Sequence, residues 1–196
     1  MKIIITAFTP FGEDKYNSAY KVVSALDINL SNVEIKKLTL PVVYDKSIYE
    51  KLIIEHKPDI LLLCGQAAGR KNVTVEYQGL NLMYANGPDN NGIVKMGEII
   101  CTDGDNSILS TIPTVSLVSN INRDNLKLSL SAGGYICNMA LYSSLYYVNK
   151  YLLDTKVGFI HFPLFKGQRD DDIPSLDLKL MTEILTKIIT YLINIK

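Results

Sequence analysis

Short β-branched and aliphatic runs alternate along this chain with stretches whose apolar residues recur at helical spacing, and that alternation restricts the fold more than any other feature. Residues 2–6, 33–40, 59–64 and 157–162 read as strands, the third as a continuous apolar run of the kind buried on both faces. Between them lie helical patterns. One is capped by Ser18 and carries Val22, Val23 and Leu26; another spans residues 44–56 and stops at Pro58. A third runs over residues 136–153, and a terminal helix opened by Pro174 and Ser175 carries Leu178, Met181, Leu185, Ile188 and Leu192 on one stripe. Residues 73–83 read as extended chain or a hairpin broken near Gly79, residues 113–121 as a helix and 126–131 as a strand. The Gly-, Asn- and Asp-rich segment 85–104 reads as a long loop. Alternation of this kind is the pattern of βαβ units and an α/β fold with a largely parallel sheet. No repeat, linker or compositional break divides residues 1–196, which predicts a single domain.

Composition removes several functions. With 47% apolar and 20% charged residues, the chain is globular and not disordered. Its 20 basic and 20 acidic side chains cancel, so no overall positive field recruits nucleic acid or an anionic membrane. Apolar runs are too short to span a bilayer, and the amino terminus lacks the length and cleavage site of a signal peptide. Cys64, Cys101 and Cys137 make an odd number without CxxC spacing, which predicts free thiols in a reducing, cytoplasmic setting. Two isolated histidines and the absence of an HExxH or EF-hand pattern point to no metal and no cofactor.

Three residues carry chemical potential. Cys137 follows a strand and the Gly133-Gly134 turn, placing it in the first turn of a helix, where free N–H groups and the helix dipole favour a thiolate. The glycines also permit close approach of a substrate to the backbone. On position alone, a nucleophile and an inert buried thiol stand even. Cys64, inside a strand, is structural, and Cys101 is expected as an exposed thiol in the polar loop. A thiol nucleophile needs a base. His56 ends an amphipathic helix, where an imidazole is explained by the dipole. His161 instead ends a parallel strand on the sheet edge where α/β sites form, the same edge as Cys137. Glu76, an acid in the otherwise apolar run 73–77, is a candidate to orient the imidazole, against the alternative of an ordinary solvent-facing residue.

Distributed motifs add a resemblance. Thr6-Ala7-Phe8-Thr9-Pro10-Phe11-Gly12 with Asn17, Gly65-Gln66-Ala67-Ala68-Gly69-Arg70, and Pro88-Asp89-Asn90 resemble signatures of the pyroglutamyl peptidase I (pyrrolidone-carboxylate peptidase) family. Ser131-Ala132-Gly133-Gly134-Tyr135-Ile136-Cys137-Asn138 resembles its nucleophile segment, and Gly158-Phe159-Ile160-His161-Phe162-Pro163 its histidine segment. The likeness covers residues 3–165; the terminal helix matches in character only. It implies an α/β/α sandwich with a mixed, mostly parallel central sheet of the phosphorylase/hydrolase-like type. It further implies a cysteine exopeptidase acting on N-terminally pyroglutamylated peptides, with Cys137 as nucleophile, His161 as base and Glu76 as orienting acid. The Cys137 N–H would serve as oxyanion donor. A pocket for the flat, uncharged lactam would be lined by Phe8, Phe11, Asn17, Gln66, Tyr135 and Ile136, and the protein would be a homotetramer.

Two positions depart from that pattern. Tyr77 and Asn86 stand where the family carries arginines, the second of them associated with the active site. Asn86 can donate a hydrogen bond but brings no charge. Two alternatives follow: an impaired homologue that binds lactam groups without efficient turnover, and a nucleoside phosphorylase-like enzyme, for which the sequence offers no arginine cluster.

Overall fold

The computed structural model describes residues 1–169 and 172–195. In chain order the elements are β1 (Lys2–Phe8), α1 (Ser18–Ala25), β2 (Glu34–Leu40), α2 (Ser47–His56), β3 (Ile60–Gln66), β4 (Val73–Glu76), β5 (Gln78–Leu80), β6 (Met83–Tyr84) and β7 (Met96–Glu98). They continue with β8 (Ser107–Leu109), α3 (Thr114–Ile121), β9 (Leu126–Ser129), α4 (Ile136–Lys150), β10 (Lys156–Phe162), β11 (Leu164–Phe165), β12 (Ser175–Leu176) and α5 (Leu178–Asn194).

A six-stranded sheet in the order β2-β1-β3-β10-β4-β9 forms the centre. β2, β1, β3 and β10 are mutually parallel, whereas β4 lies antiparallel to β10 and parallel to β9. The sheet is therefore mixed and mostly parallel. Reversal begins after β3, where the short segment 67–72, with Gly69 at φ +87°, turns the chain back along the same edge. The strand before Cys137 is thus one of the two reversed strands and not a member of the parallel set.

Helices cover both faces. α1, α3 and α5 bury their apolar stripes against Ile3, Ile5, Leu62, Val75 and Ile160 on one side. α2 and α4 pack on Ile4, Leu61, Leu63, Val157 and Phe159 on the other. The two sets alternate along each strand because successive side chains point to opposite faces, and both faces are apolar because both are covered. The result is an α/β/α sandwich, and among the described residues no helix is long and apolar enough to cross a membrane.

Several local expectations change. Asn17, not Ser18, caps α1, its side chain accepting the Tyr20 N–H at 3.2 Å. Likewise Ser175 lies in β12, and Asp177 caps α5 by accepting the Lys179 and Leu180 N–H groups. Residues 73–83 do not form a hairpin. β5 pairs instead with β8, and β6 with β7, the latter inside the segment read as loop. These hairpins wrap the outer side of α4, which explains why that helix is buried almost all round. Gly79 allows the contact, since a Cβ there would lie 2.8 Å from the Tyr142 backbone. Cys101 is buried at 1% exposure, with the Lys46 ammonium 3.8 Å from its sulfur, contrary to the expectation of an exposed thiol.

Asn138, fully buried in the first turn of α4, fastens this excursion. Its amide oxygen accepts the Leu80 N–H at 2.8 Å, and its nitrogen donates to the carbonyls of Leu80 and Leu82 at 2.8 and 2.9 Å. Asn138→Ala would leave those backbone groups unpaired in the interior. A loss of about 3 kcal/mol in urea-unfolding free energy is the expected outcome.

Candidate active site

Register across the sheet assembles the site. On β10, Phe159 and His161 face the α4 side together, and His161 pairs with Gly65 of β3. Gly65 has no side chain at a place where one would collide. A Cβ there would sit 2.8 Å from the Cys137 sulfur and 2.7 Å from the Phe159 ring. The thiol therefore rests over the very residue that neighbours His161 across the strand pair. Filling that space displaces the sulfur or the ring. Gly65→Ala is accordingly expected to lower the alkylation rate of Cys137 and any thiol-dependent activity by at least about tenfold, measurable with iodoacetamide and mass spectrometry.

From the other side β4 brings the acid. Thr74 pairs with His161 and Glu76 with Phe159, so Glu76 is the diagonal neighbour of the imidazole on the same face. Its carboxylate is fully buried, and Oε1 lies 2.8 Å from His161 Nδ1. This rejects the reading of Glu76 as a solvent-facing residue. Arg70 donates to the same oxygen, and the Thr74 hydroxyl donates to it at 3.1 Å. Arg70 also donates to Thr74 and, at 3.3 Å, to the Ser131 carbonyl, tying the turn after β3 to the segment leading into α4. Neither Arg70 nor Thr74 was singled out from the sequence. The signal was present in the spacing Arg70, Thr74, Glu76, which places the last two on one strand face below a turn that ends in a cation.

Electrostatics define the resting state. Burial favours the neutral imidazole, and although the Glu76 carboxylate opposes this, His161 sits below its ordinary range. With the carboxylate at Nδ1, the proton belongs on Nδ1 and Nε2 is the free acceptor. Burial also disfavours the Glu76 charge, but the hydrogen bond and charge of His161, then Arg70, bring its carboxyl below the usual range. For Cys137, burial and then the Glu76 charge push the thiol up to about 12, only partly offset by Arg70 and by its own backbone N–H. Cys137 as a whole residue is half-buried by surface area. At neutral pH the pair is thus thiol and neutral imidazole, and the helix start does not by itself hold a thiolate. Both His161 and Glu76 titrate below their unfolded values, so their stability contributions are complete above pH 6.5 and fall as pH drops through the folded-state values. Urea midpoints are expected to decline on acidification below pH 6.5. Glu76→Gln should remove the Glu76 part and enlarge the His161 part, because the burial that lowers the imidazole stays while the carboxylate that opposes it is gone.

The α4 start is open. No side chain caps it, and Tyr135 precedes it in an extended conformation. The first-turn N–H groups beside the sulfur are consequently available as donors. The two glycines before it have different reasons from the one expected. Gly133 adopts φ +88°, and a Cβ on Gly134 would lie 2.4 Å from the Tyr84 carbonyl oxygen, so Gly134 admits β6 and not a substrate.

Beside the thiol is a narrow pocket lined by Phe8, Phe11, Asn17, Val42, Gln66, Tyr135, Ile136 and Cys137, with about 280 Å³ of empty space including its mouth. Every lining residue anticipated from the sequence is there except Asn86. That residue is exposed and does not line the pocket. Val42 was not anticipated. The Phe11 and Tyr135 rings stand 6.1 Å apart at 43°, and Tyr44 meets Tyr135 edge-on at 5.7 Å. Asn17 and Gln66 spend most of their amide capacity inside the protein: Asn17 in the α1 cap and on the Thr9 carbonyl, Gln66 on Asp14, Ser18 and Gln168.

A cysteine at an open helix start, a carboxylate-bound histidine on the adjoining strand and a flat aromatic slot occur here in the order the family motifs require. A family model described as pyroglutamyl peptidase matches residues 1–194. The chain belongs to the pyroglutamyl peptidase family. Pyrrolidone-carboxylate peptidase of Thermosipho africanus is 37% identical over 191 residues, covering 94% of this chain and 93% of that protein. Its counterpart in Brachyspira hyodysenteriae is 40% identical over 173 residues, 86% of each. Among solved structures, a mutant pyrrolidone carboxyl peptidase from Pyrococcus furiosus superposes with a TM-score of 0.92 at 29% identity, covering 98% of both chains. Pyrrolidone carboxyl peptidase from Thermococcus litoralis gives 0.91 at 26% identity, over 98% of this chain and 93% of that one. The pyroglutamyl peptidase likeness therefore includes the terminal helix, which sequence motifs alone matched only in character.

Proposed function

We propose that this pyroglutamyl peptidase homologue hydrolyses the amide bond after an N-terminal pyroglutamate, with Cys137 as nucleophile, His161 as general base and Glu76 as the group that orients it. The observation that carries this reading is the aromatic slot ending on the Cys137 sulfur, next to an imidazole whose tautomer a buried carboxylate sets. Pyroglutamate is flat and uncharged, so its faces suit Phe8, Phe11 and Tyr135, and a slot without free charge rejects an ordinary ammonium terminus.

Because the resting thiol is neutral, the nucleophile is made at the moment of attack. His161 Nε2 takes the thiol proton as sulfur bonds to the pyroglutamyl carbonyl carbon. Negative charge then develops on the carbonyl oxygen, where the Cys137 N–H can donate. Collapse breaks the C–N bond, and His161 returns its proton to the departing amine. Water, deprotonated by His161, next attacks the thioester, releasing pyroglutamate and restoring the thiol. A fluorogenic pyroglutamyl amide is the test: turnover under reducing conditions is expected, and an inert protein refutes the reading.

The impaired-homologue alternative, motivated by Asn86 and Tyr77, is not favoured by the relatives, and Asn86 is exposed and is not among the residues that line the slot. The nucleoside phosphorylase-like alternative is not favoured by the relatives named above, which are peptidases by name. Cytoplasmic residence and a single functional domain are part of the proposal, supported by three unpaired cysteines and one shared sheet. So is a homotetramer, for which exposed Tyr84, Ile93, Met96 and Ile99 around β6 and β7 offer apolar surface; sedimentation equilibrium tests it.

A further inference from the structure

We infer that Asp14 and Arg169 form a positioning clamp that sets the lactam-reading face of the slot, acting through Gln66 and the turn that carries Phe11. The inference deepens the peptidase reading and rests on it. Asp14 lies in the β1–α1 loop, where its N–H closes a turn onto the Phe11 carbonyl at 3.3 Å. Its carboxylate is 5% exposed and takes Arg169 through both Nε and Nη2, at 2.7 and 2.9 Å. Such a fork fixes direction as well as distance.

The same carboxylate decides which way the Gln66 amide points. Gln66 Nε2 donates to Asp14 Oδ2 at 2.6 Å, while Oε1 accepts the Ser18 N–H and Gln168 Nε2, both at 2.8 Å. Turned over, the amide would set its nitrogen against two donors and its oxygen against a carboxylate. One Nε2 proton remains in the orientation shown, on a residue that lines the slot beside Cys137. Gln168 completes the brace, accepting the Phe165 N–H at 3.2 Å and donating to the Tyr16 carbonyl at 3.1 Å. Three separate segments (the Phe11 loop, the end of β3 and the strap after β11) thus meet on one acid. Among the described residues, the slot lining includes Gln66 but neither Asp14 nor Arg169.

Loss of the clamp should therefore weaken recognition and spare chemistry. Arg169→Gln removes the fork at an exposed side chain, and Asp14→Asn replaces one acceptor oxygen by a donor that conflicts with Gln66 or Arg169. For both, KM for a pyroglutamyl amide should rise about tenfold, with kcat within about threefold and the iodoacetamide rate at Cys137 unchanged. Arg169→Lys, which keeps charge without the fork, should fall between. Unchanged KM, or a fall in kcat and alkylation that follows a lowered melting temperature, overturns the inference. Titrating Cys137→Ala and Cys137→Ala/Arg169→Gln proteins with a pyroglutamyl dipeptide amide reads the same change without turnover. Tight binding by an inert wild type would sink the peptidase reading alone, whereas equal affinity of the two variants would sink the clamp.

Discussion

Cys137→Ala is expected to release no measurable fluorophore from a pyroglutamyl amide, a loss of at least about 10³-fold, while keeping the wild-type fold. Cys137 is half-buried and its sulfur lies over Gly65, so removing the sulfur leaves only a small gap in the slot floor. Circular dichroism and the urea midpoint should scarcely move. Wild type treated with iodoacetamide should lose activity in step with modification of Cys137, while Cys64 stays unmodified because it is fully buried in β3. The pH dependence carries the mechanism. With the thiol at about 12, alkylation without substrate should be slow at pH 7 and climb about tenfold per pH unit over the neutral to alkaline range. Turnover should instead fall only on the acid side, as His161 gains its proton below pH 6.5. Full activity of Cys137→Ala, or a thiolate titrating near neutrality, would contradict the scheme.

Glu76→Gln should have the second largest effect, on rate and stability together. An amide at Oε1 can present its N–H to His161, which moves the imidazole proton to the wrong nitrogen and removes the free acceptor at Nε2. The corresponding carboxylate-to-amide change in a Ser-His-Asp triad lowers kcat about 10⁴-fold for that reason, and a fall of about 10³- to 10⁴-fold is expected here. Arg70, left without its buried counter-charge, adds a stability loss of about 3 kcal/mol. Glu76→Asp, which retains charge but retracts the carboxylate, should recover part of the stability and little of the rate. Activity near wild type in Glu76→Gln would exclude the orienting role.

Much of this was legible in the residues. The βαβ alternation predicted the parallel core because a strand buried on both faces must be apolar throughout, as in residues 60–64, and because amphipathic helices must cover it. The Cys137 and His161 segments were visible because sharp turns and strand ends leave local signatures in glycine and proline. What stayed hidden was non-local. No local pattern could tell that β5 would leave β4 for β8, since strand pairing is decided by which partner offers a matching apolar face. Cys101 looked exposed among polar neighbours, but it joins the core cluster that contains Tyr142 and Tyr146 of α4, with the Lys46 ammonium near its sulfur.

By itself, then, the sequence determined the fold class and the helix and strand periods, and it offered Cys137, His161 and Glu76 as candidates, with an aromatic slot implied by the family resemblance. Only the tertiary structure decided that Glu76 is buried on His161, that Gly65 is empty so that sulfur can lie there, and that Arg70 and Asp14 lock the surrounding turns. It also decided the protonation of the site. The helix start argued for a thiolate, but burial and the nearby Glu76 charge push the thiol up. The physical reason is common to all of these. Periodicity and capping are properties of a few adjacent residues, whereas burial, charge proximity and pKa depend on which distant segments the sheet brings within a few ångströms of one another.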